Sequence, residues 1–363
     1  MPIAAHHPAE IPDIVRSTTG RLLPVGGGSK PALTRVHEEC EQLDMRRLSG
    51  ILEYEPEEYT FTALANTPLQ EIETELAAHG QYLPFDPVLT GAGATLGGTV
   101  AANSAGAGRF RYGGVRDFIL GIRFVDGRGR LVRSGGKVVK NAAGFDLAKF
   151  MVGSLGRFGI LTEVSFKVFP RPRAFLSFAQ RYDSLADALA QATRLACSPL
   201  ELQALDLVPD SDEVLLVARL GGPAASLGAR MDRILRFLGE QGNARADFVW
   251  EGEEEAAYWR QVNEFAWVPD GMPLFKVPLN PACLPALDER ISHTHRRYMA
   301  AGNLAWIAGD DVATLEHALN DLGLTGLQLL GRSEQLIIGT GLAYPVLRRV
   351  KQVLDPDGKF PEV

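Results

Sequence analysis

Glycine is unevenly placed in this 363-residue chain: residues 91–159 hold 17 of its 38 glycines in less than a fifth of the length. Apolar residues are interleaved throughout that stretch, which excludes a flexible linker. Without a Cβ, glycine lets main chain lie directly against another backbone or a ligand. The chain therefore has to build a surface of exposed backbone, and an architecture that uses such a surface is required.

Composition narrows the classes. With 46% hydrophobic and 22% charged residues the chain can bury a large core and is not disordered. A net charge of −7 and a pI near 5.6 provide no attraction for nucleic acid phosphates. No stretch approaches the roughly 18–20 apolar residues of a membrane span. The N-terminus lacks the basic and apolar segments of a secretory signal, so a cytoplasmic setting is expected. Cys40, Cys197 and Cys283 are far apart with no CxxC spacing, which argues against zinc, iron–sulfur or disulfide frameworks.

Before the glycine block, Arg21–Val25, Ile51–Glu55 and Tyr59–Ala63 read as strands. Thr67-Pro68 then opens a helix, with Thr67 as N-cap, Leu69, Ile72 and Leu76 on its buried face, and Gly80 at its end. Beyond Pro170-Arg171-Pro172 the order β-α-β-β-α-β over Phe175–Val249 reads as a ferredoxin-like unit. Its helices begin at Ser184 and near Leu227. Further on, the pattern predicts a helix over Leu284–Met299, a strand at Asn303–Ile307, and helices at Val312–Leu322 and Tyr344–Leu354; no internal repeat is visible. His293 and His295, inside the first of these, would lie about 200° apart on a helix and share no metal.

Three segments carry chemistry. Gly26-Gly27-Gly28-Ser29-Lys30 follows an apolar strand and can turn its amides toward an anion such as a pyrophosphate, or be a simple turn. It matches neither GxGxxG nor the P-loop. Thr95 to Gly106, containing Leu96-Gly97-Gly98-Thr99, offers small residues either to an extended ligand or to tight helix packing. The third runs from Lys140-Asn141-Ala142-Ala143-Gly144-Phe145-Asp146-Leu147 to Gly153-Ser154-Leu155-Gly156-Arg157-Phe158-Gly159-Ile160. One large cofactor accounts for all three.

Together these segments resemble the FAD-binding domain of the vanillyl-alcohol oxidase/p-cresol methylhydroxylase superfamily, and within it the small FAD-binding subunits of bacterial glycolate oxidases. Leu83-Pro84-Phe85-Asp86-Pro87, Lys167-Val168-Phe169-Pro170 and Leu354-Asp355-Pro356-Asp357-Gly358 add to the likeness. The resemblance implies an α+β protein, with a two-part FAD-binding domain over residues 1–170 followed by a ferredoxin-like α+β domain over 171–330. A C-terminal segment, 331–363, would return to the first domain. It implies that Gly26, Gly27, Gly28, Ser29 and Lys30 hold the pyrophosphate, that Gly97, Gly98, Ala102, Ser104 and Gly106 lie beside the flavin and its phosphates, and that Gly156, Gly159 and Ile160 offer backbone to the rest of FAD. Some relatives bond FAD to a histidine in the pyrophosphate loop; here that stretch is Gly-Gly-Gly-Ser-Lys, so noncovalent FAD is implied. The tail departs from the family's Asn-Pro-Gly ending and reads Lys359-Phe360-Pro361-Glu362-Val363.

The H-x-G-D-G-N-x-H motif of many flavin-dependent 2-hydroxy-acid dehydrogenases is absent, and no metal site is expected. Arg109, Arg111 and Lys276 are candidates to hold a substrate carboxylate; no base stands out. The resemblance implies two partners, a larger FAD subunit and an iron–sulfur subunit, acting on a small 2-hydroxy acid, with contact to the inner membrane only through those partners. A non-catalytic scaffold subunit and a stand-alone FAD alcohol or hydroxy-acid oxidase are the alternative readings.

Overall fold

A computed structural model describes residues 3–35, 39–136, 145–239, 245–341 and 345–362. The chain divides into two compact units. The first comprises Met1–Ala105, Gly113–Arg171 and Ala343–Val363, and the second comprises Gly106–Tyr112 and Pro172–Leu342.

In the first unit, β1 (Ile3–Ala4), β2 (Arg21–Val25) and β3 (Cys40–Asp44) form a parallel sheet with β3 in the centre. A five-stranded antiparallel sheet contains β4 (Ile51–Glu55), β5 (Thr60–Leu64), β7 (Ile119–Val125), β8 (Leu131–Gly135) and β9 (Ile160–Lys167), in the order β4-β5-β9-β7-β8. The short strands β6 (Gln81–Tyr82) and β10 (Phe169–Pro170) pair with each other.

Strict alternation in β9 sends Val164 and Phe166 inward and Ser165 outward, where its hydroxyl meets Thr62 at 2.8 Å. Inside, Phe61, Phe85, Phe118 and Phe166 pack edge-on or tilted, with ring centroids 5.4–6.1 Å apart. A second core joins Ile11, Val15, Leu22, Leu43, Val125 and Ile160 to Phe360 from the C-terminal tail. Cys40 of β3 is buried, and burial pushes its thiol above the ordinary cysteine range.

Helix α1 (Leu69–Ala78) buries Leu69, Ile72 and Leu76 as the periodicity predicts, and Gly80 follows in the left-handed region at φ 65°. Thr67 is not its N-cap. The Thr67 hydroxyl instead donates to the Leu64 carbonyl and accepts from the Gly50 amide, so Pro68 occupies the cap position without a side-chain bond.

The second unit is built on one antiparallel sheet of nine strands. These are β11 (Ala174–Tyr182), β12 (Ala204–Asp210), β13 (Glu213–Gly222), β14 (Phe248–Glu251), β15 (Leu274–Pro278), β16 (His295–Met299), β17 (Leu304–Ala308), β18 (Thr325–Leu330) and β19 (Ile337–Gly339). Their order is β14-β11-β13-β12-β16-β17-β15-β18-β19. The first four, with α3 (Leu185–Ala196) and α4 (Ala224–Leu238), form the expected ferredoxin-like unit; α2 is the helix Leu96–Ala102 of the first unit. Ser184 caps α3 by accepting from the Asp187 amide.

The same motif then recurs: β15, α6 (Leu284–Arg290), β16, β17, α7 (Val312–Asp321) and β18, with strand order β16-β17-β15-β18. The two halves meet edge to edge through β12 and β16, where Leu207 lies opposite Tyr298. This corrects two sequence expectations. An internal structural repeat exists, and the segment to Met299 is not one helix: α6 stops at Arg290 and His295–Met299 is a strand. The five residues His-Arg-Arg-Tyr-Met carry little β signal by themselves; pairing with β17 along all five positions imposes the strand.

Helices α3, α4, α6 and α7 bury their apolar sides with one face of the sheet. On the other face, next to α5 (Gly252–Asn263), charges are buried instead. Arg219 pairs with Glu255 at 2.7 Å, and Arg297 of β16 pairs with Asp206 of β12 at 2.9 Å, so the second pair crosses the seam between the halves. Asp206 is fully buried and the Arg297 side chain 6% exposed. Replacing one member of such a pair leaves a buried charge without its counter-ion, at about 3–5 kcal/mol. Arg297→Met is therefore expected to lower the urea midpoint of unfolding by that amount of stability, whereas the exposed pair of Arg260 and Glu253 is expected to be worth under about 1 kcal/mol. Equal effects of the two substitutions would contradict the role given to the seam.

Candidate cofactor-binding site

The glycine segments of the first unit converge on one cleft. Its walls include Gly26, Gly27, Gly28, Ser29, Lys30, Gly97, Gly98, Gly156 and Gly159. Ala102, Ser104 and Ile160, also expected at the cofactor, are buried outside this lining, and Gly106 belongs to the second unit. Lys140 through Gly144 lie outside the described residues.

Each glycine has its own reason. A Cβ on Gly27 would stand 1.9 Å from the Gly93 carbonyl oxygen, and one on Gly26 would stand 2.5 Å from Asn66 Oδ1. These two are demanded by protein packing. Gly28 differs: its φ of 73° lies in the left-handed region and a Cβ there would meet nothing within 4 Å. In α2, Gly97 donates its amide to the Ala65 carbonyl at 2.6 Å, and a Cβ would lie 2.8 Å from that residue. Of the two readings of this segment, tight packing explains Gly97, while Gly98 opens on the cleft.

The donor set suits a dinucleotide. Among the described residues, the amides of Gly26, Gly27, Gly28 and Ser29 donate to no protein acceptor. Four consecutive donors of this kind, beside the buried Lys30, form a place for an anion. Ser154 lines the cleft, and its buried hydroxyl has no partner among the described residues. An unsatisfied buried hydroxyl costs about 1–3 kcal/mol and fits a ligand that completes it. Leu23, Pro24, Val25, Leu33, Met45 and Leu161 supply apolar wall for flat rings. The loop carrying Ser154 is contorted: Gly153, Leu155 and Gly156 all have φ between 53° and 84°.

Sequence reasoning missed Asn66, Met45, Leu33 and Thr34, which line the cleft from neighbouring segments. No local pattern marks them. The three cations considered for substrate do not line it. Arg109 and Arg111 lie on a four-residue helical turn of the second unit, where Arg111 is 3.4 Å from Glu201. Lys276 is buried on β15, on the charged face of the sheet, opposite Trp306. Among the described residues no three histidine, cysteine or acidic side chains gather as a metal site.

Residues 2–135 match the family described as FAD binding domain. Two solved structures of alkyldihydroxyacetonephosphate synthase share the fold, with TM-scores of 0.69 and 0.73 over 98–99% of this chain and 74–75% of theirs, at 18% identity. The class is thus a flavoprotein with FAD as its cofactor, built on the p-cresol methylhydroxylase type of FAD-binding domain.

Glycolate oxidase subunit GlcE of Escherichia coli (strain K12) is 35% identical over 337 residues, 88% of this chain and 85% of that protein. The chain belongs to the family of that glycolate oxidase subunit. Glycolate oxidase subunit GlcD of Bacillus subtilis (strain 168) is 28% identical over 58% of this chain, and D-lactate dehydrogenase of Anaerostipes hadrus 29% over 54%. The matches cover only 48% and 39% of those two longer proteins.

The glycines can be separated by experiment. Gly27→Val places side chain on backbone and is expected to destabilise the protein by about 1–3 kcal/mol, seen as a lower melting temperature with or without FAD. Gly28→Ala costs about 1–2 kcal/mol for its left-handed φ and adds a methyl group to the open side of the loop. Its apoprotein is expected to stay folded while FAD affinity, followed by flavin fluorescence, falls severalfold. Undiminished FAD binding by Gly28→Ala would remove the phosphate role from this loop.

Proposed function

We propose that this chain is the FAD-carrying small subunit of a complex that oxidises glycolate or another small 2-hydroxy acid. The observation that carries the reading is the cleft whose 26–29 amides and Ser154 hydroxyl find no partner among the described residues, in a chain similar to GlcE over most of both lengths. On this reading the first compact unit is the FAD-binding domain and the second is a cap.

Bound FAD supplies two-electron redox chemistry. The chain's own part would be to bind and orient it: the 26–29 amides would donate to the pyrophosphate, Lys30 would offset its charge, Ser154 would hydrogen-bond it, and the apolar wall would exclude water from the rings. The 26–30 stretch, where some relatives carry the flavin-bonding histidine, reads Gly-Gly-Gly-Ser-Lys, which supports noncovalent attachment. Arg111 is engaged by Glu201 and Lys276 is buried in the sheet, which supports placing the substrate-oxidising apparatus on a partner.

We place this subunit with a larger FAD subunit and an iron–sulfur subunit, in the cytoplasm or at the inner membrane through those partners. No helix among the described residues is long and apolar enough to cross a membrane.

Two measurements test the proposal. Acid precipitation of the yellow protein is expected to leave FAD in the supernatant; flavin retained in the pellet contradicts noncovalent binding. Glycolate-dependent dye reduction is expected from the co-expressed complex and not from the isolated chain. Rapid turnover by the chain alone would overturn the subunit reading.

A further inference from the structure

The contorted Ser154 loop has two sets of anchors within the first unit. On one side Gly153 and Leu155 donate their amides to the Val100 and Ala101 carbonyls of α2, at 2.9 and 3.0 Å. On the other side, Lys351 reaches in from the helix Pro345–Leu354 and donates to the Arg157 carbonyl at 2.6 Å. The same ammonium donates to Asp355 Oδ2 at 2.6 Å and to the carbonyls of Phe360 and Pro361 at 3.1 and 3.0 Å.

Asp355 in turn accepts from the amides of Lys359 and Phe360 at 2.7 and 2.9 Å, which curls the tail around the charge pair. Phe360 is fully buried beside Ile11 and Val15. The Leu22 amide donates to the Lys359 carbonyl at 2.7 Å, so the tail also touches the strand that leads into Gly26. A lysine 10% exposed, with its ammonium satisfied by three carbonyls and one carboxylate, is more than a helix-surface residue. Burial draws that ammonium below the ordinary lysine range, against the opposing pull of Asp355.

We infer that Lys351 is a positioning residue for the flavin: it pins Arg157 and thereby holds the left-handed Leu155-Gly156 turn, and with it Ser154, in the shape that receives FAD. Leu155 and Gly156, at φ 53° and 74°, occupy backbone states that persist only when their surroundings impose them. Without the Lys351 anchor, one end of the turn is released. FAD binding is therefore coupled to docking of a tail that does not itself line the cleft.

The inference rests on the reading that this cleft holds FAD, and wild-type protein tests that reading separately: absence of FAD binding by the wild type overturns it. The inference itself is tested with Lys351→Met, Asp355→Asn and a control, Ile72→Ala, which damages the buried face of α1, a helix no residue of which lines the cleft. For each full-length variant, apoprotein melting temperature, FAD dissociation constant and the visible circular dichroism of bound flavin at saturation are measured below the melting range.

Lys351→Met is expected to weaken FAD binding at least tenfold and to change the flavin dichroism. Asp355→Asn is expected to do the same to a smaller degree, and Ile72→Ala to melt earlier with affinity and dichroism kept. If Lys351→Met does not fold, Asp355→Asn decides by the same readouts. Wild-type affinity and dichroism in the decisive variant, or losses of affinity that follow melting temperature equally in Ile72→Ala, overturn the positioning role.

Discussion

Close backbone approach governs this protein. The Gly97 amide sits 2.6 Å from the Ala65 carbonyl, and the Gly27 α-carbon faces the Gly93 carbonyl with no room for a methyl group. These contacts seat α2 at the end of β5 and the 26–29 loop against the Gly93 turn. Both walls of the cleft are then fixed by main chain, whose position varies less than that of side chains. Held by main chain in this way, the cleft needs little further ordering of its walls to receive a ligand.

Such a surface explains what could be seen in advance. Backbone approach demands glycine, and glycine leaves a compositional mark, so Gly26 to Gly28, Gly97, Gly98, Gly156 and Gly159 were legible as a group. Asn66, Met45 and Leu33 were not, because a single side chain brought in by folding has no local signature. The second ferredoxin-like half was hidden for a related reason. In β15, Leu-Phe-Lys-Val-Pro, four of five positions are buried, the lysine among them, so no inside–outside alternation shows, and β16 opens with His, Arg and Arg. Asp206 and Arg297 are 91 residues apart, and their pairing appears only when the two halves share a sheet.

The charged seam and the lysine-held tail use buried charge for similar ends. In the second unit, a buried ion pair joins two similar motifs in one register, at a desolvation cost that apolar packing would avoid. In the first unit, a lysine is buried among carbonyls to close a tail over a core. Both place a full charge where only one arrangement satisfies it, which favours a single geometry over near alternatives.

The core containing Phe360 has a consequence for the order of events during synthesis. Its other members come from the first half of the chain, among them Ile11, Leu22, Val125 and Ile160. A nascent chain that ends before Pro345 holds every strand of the nine-stranded sheet but lacks Lys351, Asp355 and Phe360. The middle of the polypeptide can thus close its sheet while the earlier-made unit still waits with an open core. The core of the first unit is thus completed by a residue that follows the whole nine-stranded sheet in sequence.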